Sequence, residues 1–155
     1  HIVVKANLFF VAAMICRQTG SYDLRRSGGL YARRPLLAVL FAIPALSLVG
    51  IPPLSGFWAK LLLVKETLVQ GHYVLAGVTV LVGVLTLYSM TKIWFEAFWK
   101  RHPDETWQPT RGARRGPAYF ATGALATITV TLGLFPEQLL GLAQSATAHF
   151  VGGAP

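Results

Sequence analysis

The sequence predicts an all-α membrane protein with about five transmembrane helices, one of them discontinuous. Of its 155 residues, 54% are hydrophobic and 13% are charged, whereas typical soluble domains carry about 25% charged residues. The mean hydropathy of +0.52 agrees with this class. Long apolar runs alternate with polar segments, and one run is broken in its middle by Pro52-Pro53. Because two adjacent prolines cannot continue a regular helix, that run predicts the discontinuous element.

The apolar runs form a single transmembrane helical region over residues 1–150. The predicted spans are residues 1–16, 35–50, 54–70, 73–99 and 117–135. Residues 137–150 place their apolar side chains roughly on one side and predict an interfacial helix, followed by a tail at residues 151–155. The first run begins without Met and would be about 24 Å long as a helix, short of a ~30 Å hydrocarbon core. We therefore interpret the chain as the C-terminal part of a larger subunit.

The polar residues exclude several function classes. The net charge is +8, but the basic residues cluster in residues 17–34 and 100–115, between apolar runs, as in loops of membrane proteins rather than in a nucleic-acid interface. The single Cys16 excludes an internal disulfide or a CxxC site, and four scattered histidines give no metal-ligand spacing. The sequence has no nucleophile–base constellation and no phosphate-binding loop. We predict no catalytic residues, no metal and no cofactor.

The two basic clusters do not decide the orientation in the membrane from sequence alone. If all five segments cross, the clusters lie on opposite faces, and the positive-inside rule cannot choose between them. The sidedness therefore stays open at this level.

The stretch of residues 45–64 contains the strongest candidate site. It is almost wholly apolar, and Lys60 is its only charge. Ser55 is the predicted N-cap of a helix that restarts after the prolines and runs to Val69, which places Lys60 about one turn inside it. A charge at membrane depth is costly and marks a functional site by default. The alternative is a lysine that snorkels to the headgroups from a helix connector.

A second candidate lies at the start of the chain. His1 and Lys5 are four residues apart, so they share one helix face. An imidazole beside an amine predicts a proton-relay pair, since histidine titrates near neutrality. The alternative is that His1 marks a cut end and that Lys5 pairs with a carboxylate elsewhere. Asn7 and the Thr and Ser residues of the spans could carry a water chain, although such residues more often join helices.

Two further charged pairs are secondary candidates for proton translocation. Lys65 and Glu66 are adjacent and face different ways, so we expect them near the membrane surface with a structural role. Lys92 and Glu96 are four apart near the aromatic end of their helix, and an intrahelical ion pair explains them.

Three segments resemble one family of membrane proteins. They read HIVVKANLFF at residues 1–10, TGSYDL followed by GGL within residues 19–30, and ALSLVGIPPLSGFWAK at residues 45–60. Together they resemble the antiporter-like membrane subunits, which include large subunits of Mrp-type cation/proton antiporters, proton-pumping subunits of respiratory complex I and membrane-bound hydrogenases. Within this family, LTLYSMTKIWFEAFWK at residues 85–100 looks most like the D subunit of Mrp-type Na⁺/H⁺ antiporters. The resemblance extends to about residue 100 and fades after it.

The resemblance implies a fold of fourteen helices with two inverted five-helix repeats, each containing a discontinuous helix. This chain would supply the tenth to fourteenth helices and thus the second repeat. Lys5 resembles the family's lysine on the tenth helix, with His1 as its neighbour, and Lys60 resembles the terminal residue of the proton path. The first repeat, with its glutamate and lysines, is absent from this sequence, so the chain alone would hold one half-channel.

The implied function is that of a proton-translocating subunit of a multi-subunit Na⁺/H⁺ antiporter. Such a protein is a secondary transporter rather than an enzyme, and it crosses the cell (plasma or inner) membrane several times. Its expected partners are the other antiporter subunits, the lipid bilayer, protons and Na⁺, with no nucleic acid. The alternatives are a proton-pumping subunit of complex I or of a hydrogenase, which would make it part of a redox enzyme, and a membrane scaffold that transports nothing.

Overall fold

The computed structural model describes residues 1–104, 106–107, 116–138 and 141, and these residues form helices and no strand. The α-helices are α1 (Ile2–Thr19), α2 (Leu30–Arg33), α3 (Pro35–Val49), α4 (Ser55–Val69), α5 (Tyr73–Trp94) and α6 (Gly116–Leu134). A 3₁₀ turn at Leu24–Arg26 precedes α2, and a π-helical turn at Phe95–Trp99 extends α5. The all-α prediction is confirmed. Most of the predicted interfacial helix and the whole tail lie outside the described residues.

Three of these helices are long and apolar enough to cross a membrane. They are α1, α5 together with its π-helical turn, and α6. The helices α3 and α4 have 15 residues each, so each is about 22 Å long and shorter than the ~30 Å hydrocarbon core. Neither helix is therefore long enough to cross the core alone.

The predicted break at Pro52-Pro53 is confirmed. Helix α3 ends at Val49 and is capped by Gly50, whose φ of 93° lies in the left-handed region, and α4 begins at Ser55. The prediction that Ser55 caps α4 is wrong, because Leu54 occupies the cap position and makes no side-chain cap bond. Ser47 of α3 supplies the missing acceptor: its Oγ accepts the Gly56 N–H at 3.2 Å. The Ser55 hydroxyl is hydrogen-bonded to the same oxygen at 3.2 Å.

The helices α3 and α4 are two arms of one discontinuous element. Among the described residues, the hydrogen bonds between these two helices join the last turn of α3 to the first two turns of α4. Two helices packed as an antiparallel hairpin would instead meet along their whole length. Together the arms are long enough for one crossing.

Helix α6 packs antiparallel to α1 and closes over the break. Near one end, the Thr122 hydroxyl donates to Met14 Sδ at 3.8 Å. Near the other end, the indole N–H of Trp58 donates to the Gly133 carbonyl at 2.8 Å. The buried face of α6 is made of small residues, which let a neighbouring backbone approach closely: Thr122, Ala126, Thr129 and Gly133.

The main hydrophobic core lies toward the other end of the bundle, where α1, α3 and the end of α5 meet. Its largest cluster is aromatic: the ring centroids of Trp94 and Phe98 are 5.0 Å apart, and those of Phe41 and Phe98 are 5.3 Å apart. These distances are typical of favourable aromatic pairs. This core fixes the end of α5 against α3.

The described residues of both basic segments lie at this same end, which we call the basic end. The Gly29 N–H donates to the Lys100 carbonyl at 2.6 Å, and the Arg33 guanidinium lies 5.5 Å from the ring centroid of Trp107. The sequence left the orientation open because five crossings would separate the two segments. The structure brings them together because α3 and α4 make one crossing between them.

Candidate functional site

Lys60 lies at the break, with its ammonium on the end of α3. Its Nζ donates to the Val49 carbonyl at 2.6 Å. The last carbonyls of a helix lack intrahelical partners and carry the negative end of the helix dipole, so this position suits a cation. The Gly50 N–H bonds back to the carbonyls of Leu46 and Ser47, which leaves the Val49 carbonyl to Lys60. The break therefore creates the acceptor that the lysine uses.

The side chain of Lys60 also borders a cavity of about 380 Å³ enclosed by α1, α3, α4 and α6. We call it the Lys60 cavity. The polar residues that line it, besides Lys60, come from each of these elements: His1, Ser47, Ser55 and Thr129. The Lys60 cavity thus combines a cation with hydroxyl groups and an imidazole, which are groups able to hold water and to pass protons.

Lys5 lies elsewhere. It is exposed, and it lines a second cavity of about 430 Å³ between α1, α3 and α5, whose lining is mostly apolar. Lys5 and Lys60 therefore line different cavities in this chain; that both point into the bundle of the full subunit stays a prediction. The reason is helical geometry: the buried face of α1 follows Val4 and Asn7, and Lys5 is turned away from it. Leu48 borders both cavities.

His1 and Lys5 are separated in the same way. Although they are four residues apart, His1 lines the Lys60 cavity and Lys5 lines the second one. Their described hydrogen bond is between backbone groups, from the Lys5 N–H to the His1 carbonyl at 3.0 Å. His1 is thus brought together with Lys60 rather than with Lys5.

Asn7 is the most enclosed polar residue of α1. Its exposed fraction is 0%, and neither atom of its amide has a hydrogen-bond partner among the described residues. Thr129 of α6 is also buried, and its hydroxyl donates to the Leu125 carbonyl. Because α1 and α6 are antiparallel with Met14 beside Thr122, Asn7 and Thr129 lie at about the same level.

The secondary candidates lie on the outside of the bundle. Lys65 and Glu66 are exposed near the end of α4, and the Gln70 amide donates to Glu66 Oε1 at 2.7 Å. Neither residue lines the Lys60 cavity.

The expected ion pair between Lys92 and Glu96 is wrong. Glu96 instead pairs with Lys100, with 3.0 Å between Oε2 and Nζ, and Lys92 is exposed. On a helix, a glutamate followed four residues later by a lysine is the better arrangement, and Lys92 precedes Glu96 in the reverse order. The pair that forms lies at the basic end, away from the Lys60 cavity.

Comparison with known proteins identifies the family. Residues 1–86 match the family model described as NADH:quinone oxidoreductase/Mrp antiporter, TM. The chain belongs to this family. It is 40% identical over 141 residues to the D subunit of the Na⁺/H⁺ antiporter of Alkalihalophilus pseudofirmus, an alignment of 90% of this chain and 28% of that protein. It is also 34% identical to the N 2 subunit of the NADH-quinone oxidoreductase of Solidesulfovibrio magneticus, over 96% of this chain and 31% of that protein.

The fold is that of a solved antiporter complex of the same family. The structure of the Mrp complex from Dietzia sp. DQ12-45-1b contains a chain that matches with a TM-score of 0.82 and 33% sequence identity, covering 96% of this chain and 35% of the other. The predicted resemblance to Mrp antiporter subunits is therefore confirmed. The chain spans about a third or less of the length of these relatives.

The sequence motifs suggested that the likeness to the family fades after about residue 100, but it continues beyond that point. Alignments over 90% and 96% of a 155-residue chain must extend well into the region of α6. The motifs fade there because α6 is built from small residues. These residues suit close helix packing but form no recognisable sequence motif.

Several residues of the site were not found by sequence reasoning. The Val49 carbonyl holds the ammonium, and a backbone acceptor has no signature of its own in a sequence. Ser47 and Thr129 were grouped with hydroxyl residues that join helices. Gly83 of α5 lies beside the Lys60 ammonium, and the one available signal was an isolated glycine within an otherwise continuous helix.

Proposed function

We propose that this chain is part of a proton-translocating subunit of a multi-subunit Na⁺/H⁺ antiporter in the cell membrane. In this proposal the subunit is a secondary transporter and not an enzyme by itself. It works with the other subunits of the antiporter and exchanges protons for Na⁺. The described residues contain no group of three metal-binding side chains, so the proposal rests on proton-carrying groups.

The observation that carries the proposal is the position of Lys60. Its ammonium lies inside the helix bundle on the Val49 carbonyl, and its side chain borders a cavity lined by His1 and three hydroxyl residues. A lysine whose charged form is desolvated can release its proton near neutral pH, whereas an exposed one does so far less readily. A discontinuous helix with a charge at its break is also the usual arrangement of transporter sites.

The proposed roles follow from this placement. Lys60 holds and releases a proton at the break, and His1 exchanges it with water of the Lys60 cavity. Lys5 passes charge laterally toward the part of the subunit that this chain does not contain, because it faces away from the Lys60 cavity. Lys65, Glu66, Lys92 and Glu96 have no part in this path, since none of them lines either cavity.

The second candidate is a proton-pumping subunit of an NADH:quinone oxidoreductase. Relatives named as N subunits of that enzyme are 34% and 38% identical to this chain, against 40% and 36% for relatives named as D subunits of Na⁺/H⁺ antiporters. The stretch at residues 85–100, which resembles the antiporter D subunits, favours the antiporter. Redox-driven exchange in place of Na⁺-driven exchange would support the second candidate.

The test replaces Lys60 in the full-length subunit within the complete complex. Lys60→Ala is expected to abolish Na⁺-driven pH change in vesicles and to leave assembly intact. Lys60→Arg is expected to fail nearly as badly, because arginine keeps its proton and cannot cycle. Lys60→Glu should retain part of the activity, since a buried carboxyl group can also titrate near neutrality.

Lys65→Ala is the matched control, because Lys65 is an exposed lysine on the same helix. It should transport as the wild type does. If Lys60→Arg is fully active, or if Lys60→Ala transports normally, the proton-relay role is refuted. Loss of assembly in Lys60→Ala with rescue by Lys60→Arg would instead support the scaffold interpretation.

A further inference from the structure

The Lys60 ammonium is held in a seat made by three backbone positions. The Val49 carbonyl accepts from Nζ at 2.6 Å. A Cβ on Gly50 would come within 2.8 Å of Lys60 Cδ, so the glycine makes room for the side chain. Next to the Val49 carbonyl, α5 presents Gly83 to the ammonium. We call Val49, Gly50 and Gly83 the ammonium seat.

Gly83 is the member of the seat that comes from a different helix. A Cβ at this position would lie 3.5 Å from Lys60 Nζ and 3.9 Å from the Val49 carbonyl oxygen. A methyl group would therefore fit but would touch the ammonium directly. Gly77, on the same helix, has nothing within 4 Å of an added Cβ.

The seat includes a helix that does not line the Lys60 cavity. The cavity is lined by residues of α1, α3, α4 and α6, whereas Gly83 belongs to α5. Lys60 lines the cavity, and its ammonium is bound in the seat. The seat therefore lies next to the proposed route of proton exchange.

We propose that Gly83 is a positioning residue for Lys60, because its bare backbone keeps the seat accessible to water and lets the ammonium enter and leave it. This inference rests on the proposed function. One N–H of the ammonium is bound to Val49, and the other two need water or a neighbouring acceptor. A side chain at position 83 would cover them.

Few titratable groups lie near Lys60, so the pH dependence of proton exchange can be attributed to it. Among the described residues that line the Lys60 cavity, His1 of α1 is the other titratable group. Helix α3 has no titratable residue, and Tyr119 of α6 lies at the basic end. On α5, Tyr73 and Tyr88 are exposed and Lys92 lies near the basic end, and Lys65 and Glu66 of α4 are exposed.

The experiment compares Gly83→Ala, Gly83→Ser and the control Gly77→Ala in the full-length subunit of the complete complex. Na⁺-driven pH change is measured across a range of pH, with assembly checked on the same preparations. The methyl group of Gly83→Ala disfavours the charged amine, so half-maximal exchange should move to lower pH by about one unit. The Gly83→Ser hydroxyl can accept an ammonium N–H and should keep most of the wild-type profile. Gly77→Ala should match the wild type.

Each outcome decides the inference. If Gly83→Ala and Gly83→Ser lower the rate and the assembly equally without moving the profile, Gly83 is a packing glycine and the inference is wrong. A wild-type profile in Gly83→Ala overturns it as well. Lys60→Ala is measured in parallel. If Lys60→Ala still exchanges protons, the proposed function itself is wrong. If Lys60→Ala is inactive while Gly83→Ala behaves as the wild type, only the role of Gly83 is refuted.

Discussion

At the scale of single residues, Lys60 is stabilised by backbone and not by a carboxylate. No acidic side chain of the described residues lines its cavity, and the Val49 carbonyl is its hydrogen-bond partner. A fixed ion pair would hold the lysine permanently charged, because an opposite charge favours the charged form. A carbonyl at a helix end attracts the cation more weakly. In the proposed function, this weaker attraction lets Lys60 release its proton as well as bind it.

Asn7 provides a prediction about buried polar groups. Its amide is fully enclosed and unpaired within the described residues, and such a group costs roughly 1–3 kcal/mol. Asn7→Leu should therefore leave thermal stability in detergent unchanged or raise it. If the amide holds a water that feeds the Lys60 cavity, the same variant should exchange protons several-fold more slowly. A lower melting temperature would show that the amide is bonded, and an unchanged exchange rate would remove Asn7 from the path.

The sequence predicted one half of the proposed site. Lys60 was predictable because a single charge in an apolar run beside two prolines is improbable without a function. The ammonium seat could not be predicted from the sequence, because it consists of a carbonyl and two glycines that the fold brings together from separate helices. The direction of Lys5 depends on which face of α1 meets α3 and α6. That face could not be chosen while every side of the helix was apolar.

At the scale of elements, the break is secured from three sides. Ser47 caps α4 from α3, Lys60 reaches back from α4 to α3, and Trp58 anchors α4 to α6. The prolines predicted the interruption, since they remove backbone donors. The caps were not predicted, because a capping hydroxyl was sought next to the helix start, whereas Ser47 lies nine residues before Gly56.

Gly133 is expected to be essential for closing α6 over the break. A Cβ there would overlap the Pro53 carbonyl oxygen and the backbone of Leu54, which is 2.7 Å away at its Cα. Gly133→Ala should lower the thermal stability of the purified protein by about 1–3 kcal/mol, the usual cost of overpacking. Gly123→Ala, on the same helix with open space around it, is the control and should be neutral or slightly stabilising. Equal melting temperatures for the two variants would refute a close approach.

At the scale of the whole molecule, the discontinuous element determines how charge is distributed. Because α3 and α4 together cross once, the basic residues on either side of them meet at one end: Arg17, Arg25, Arg26, Arg33, Arg34, Lys100 and Arg101. The turn between α4 and α5, at the other end, has no lysine or arginine. The Lys60 break lies between these two ends, because Gly83 in the interior of α5 lies beside the Lys60 ammonium.

This asymmetry predicts that the basic end faces the cytoplasm and that the turn between α4 and α5 faces the outer surface, according to the positive-inside rule. Single cysteines placed in a Cys16→Ser background test it in cells that produce the full-length subunit. Tyr22→Cys marks the basic end, where Tyr22 is 87% exposed, and His72→Cys marks the turn between α4 and α5. An impermeant maleimide should label His72→Cys in intact cells and Tyr22→Cys only after permeabilisation. The reverse labelling pattern would place the basic end at the outer surface and refute this orientation.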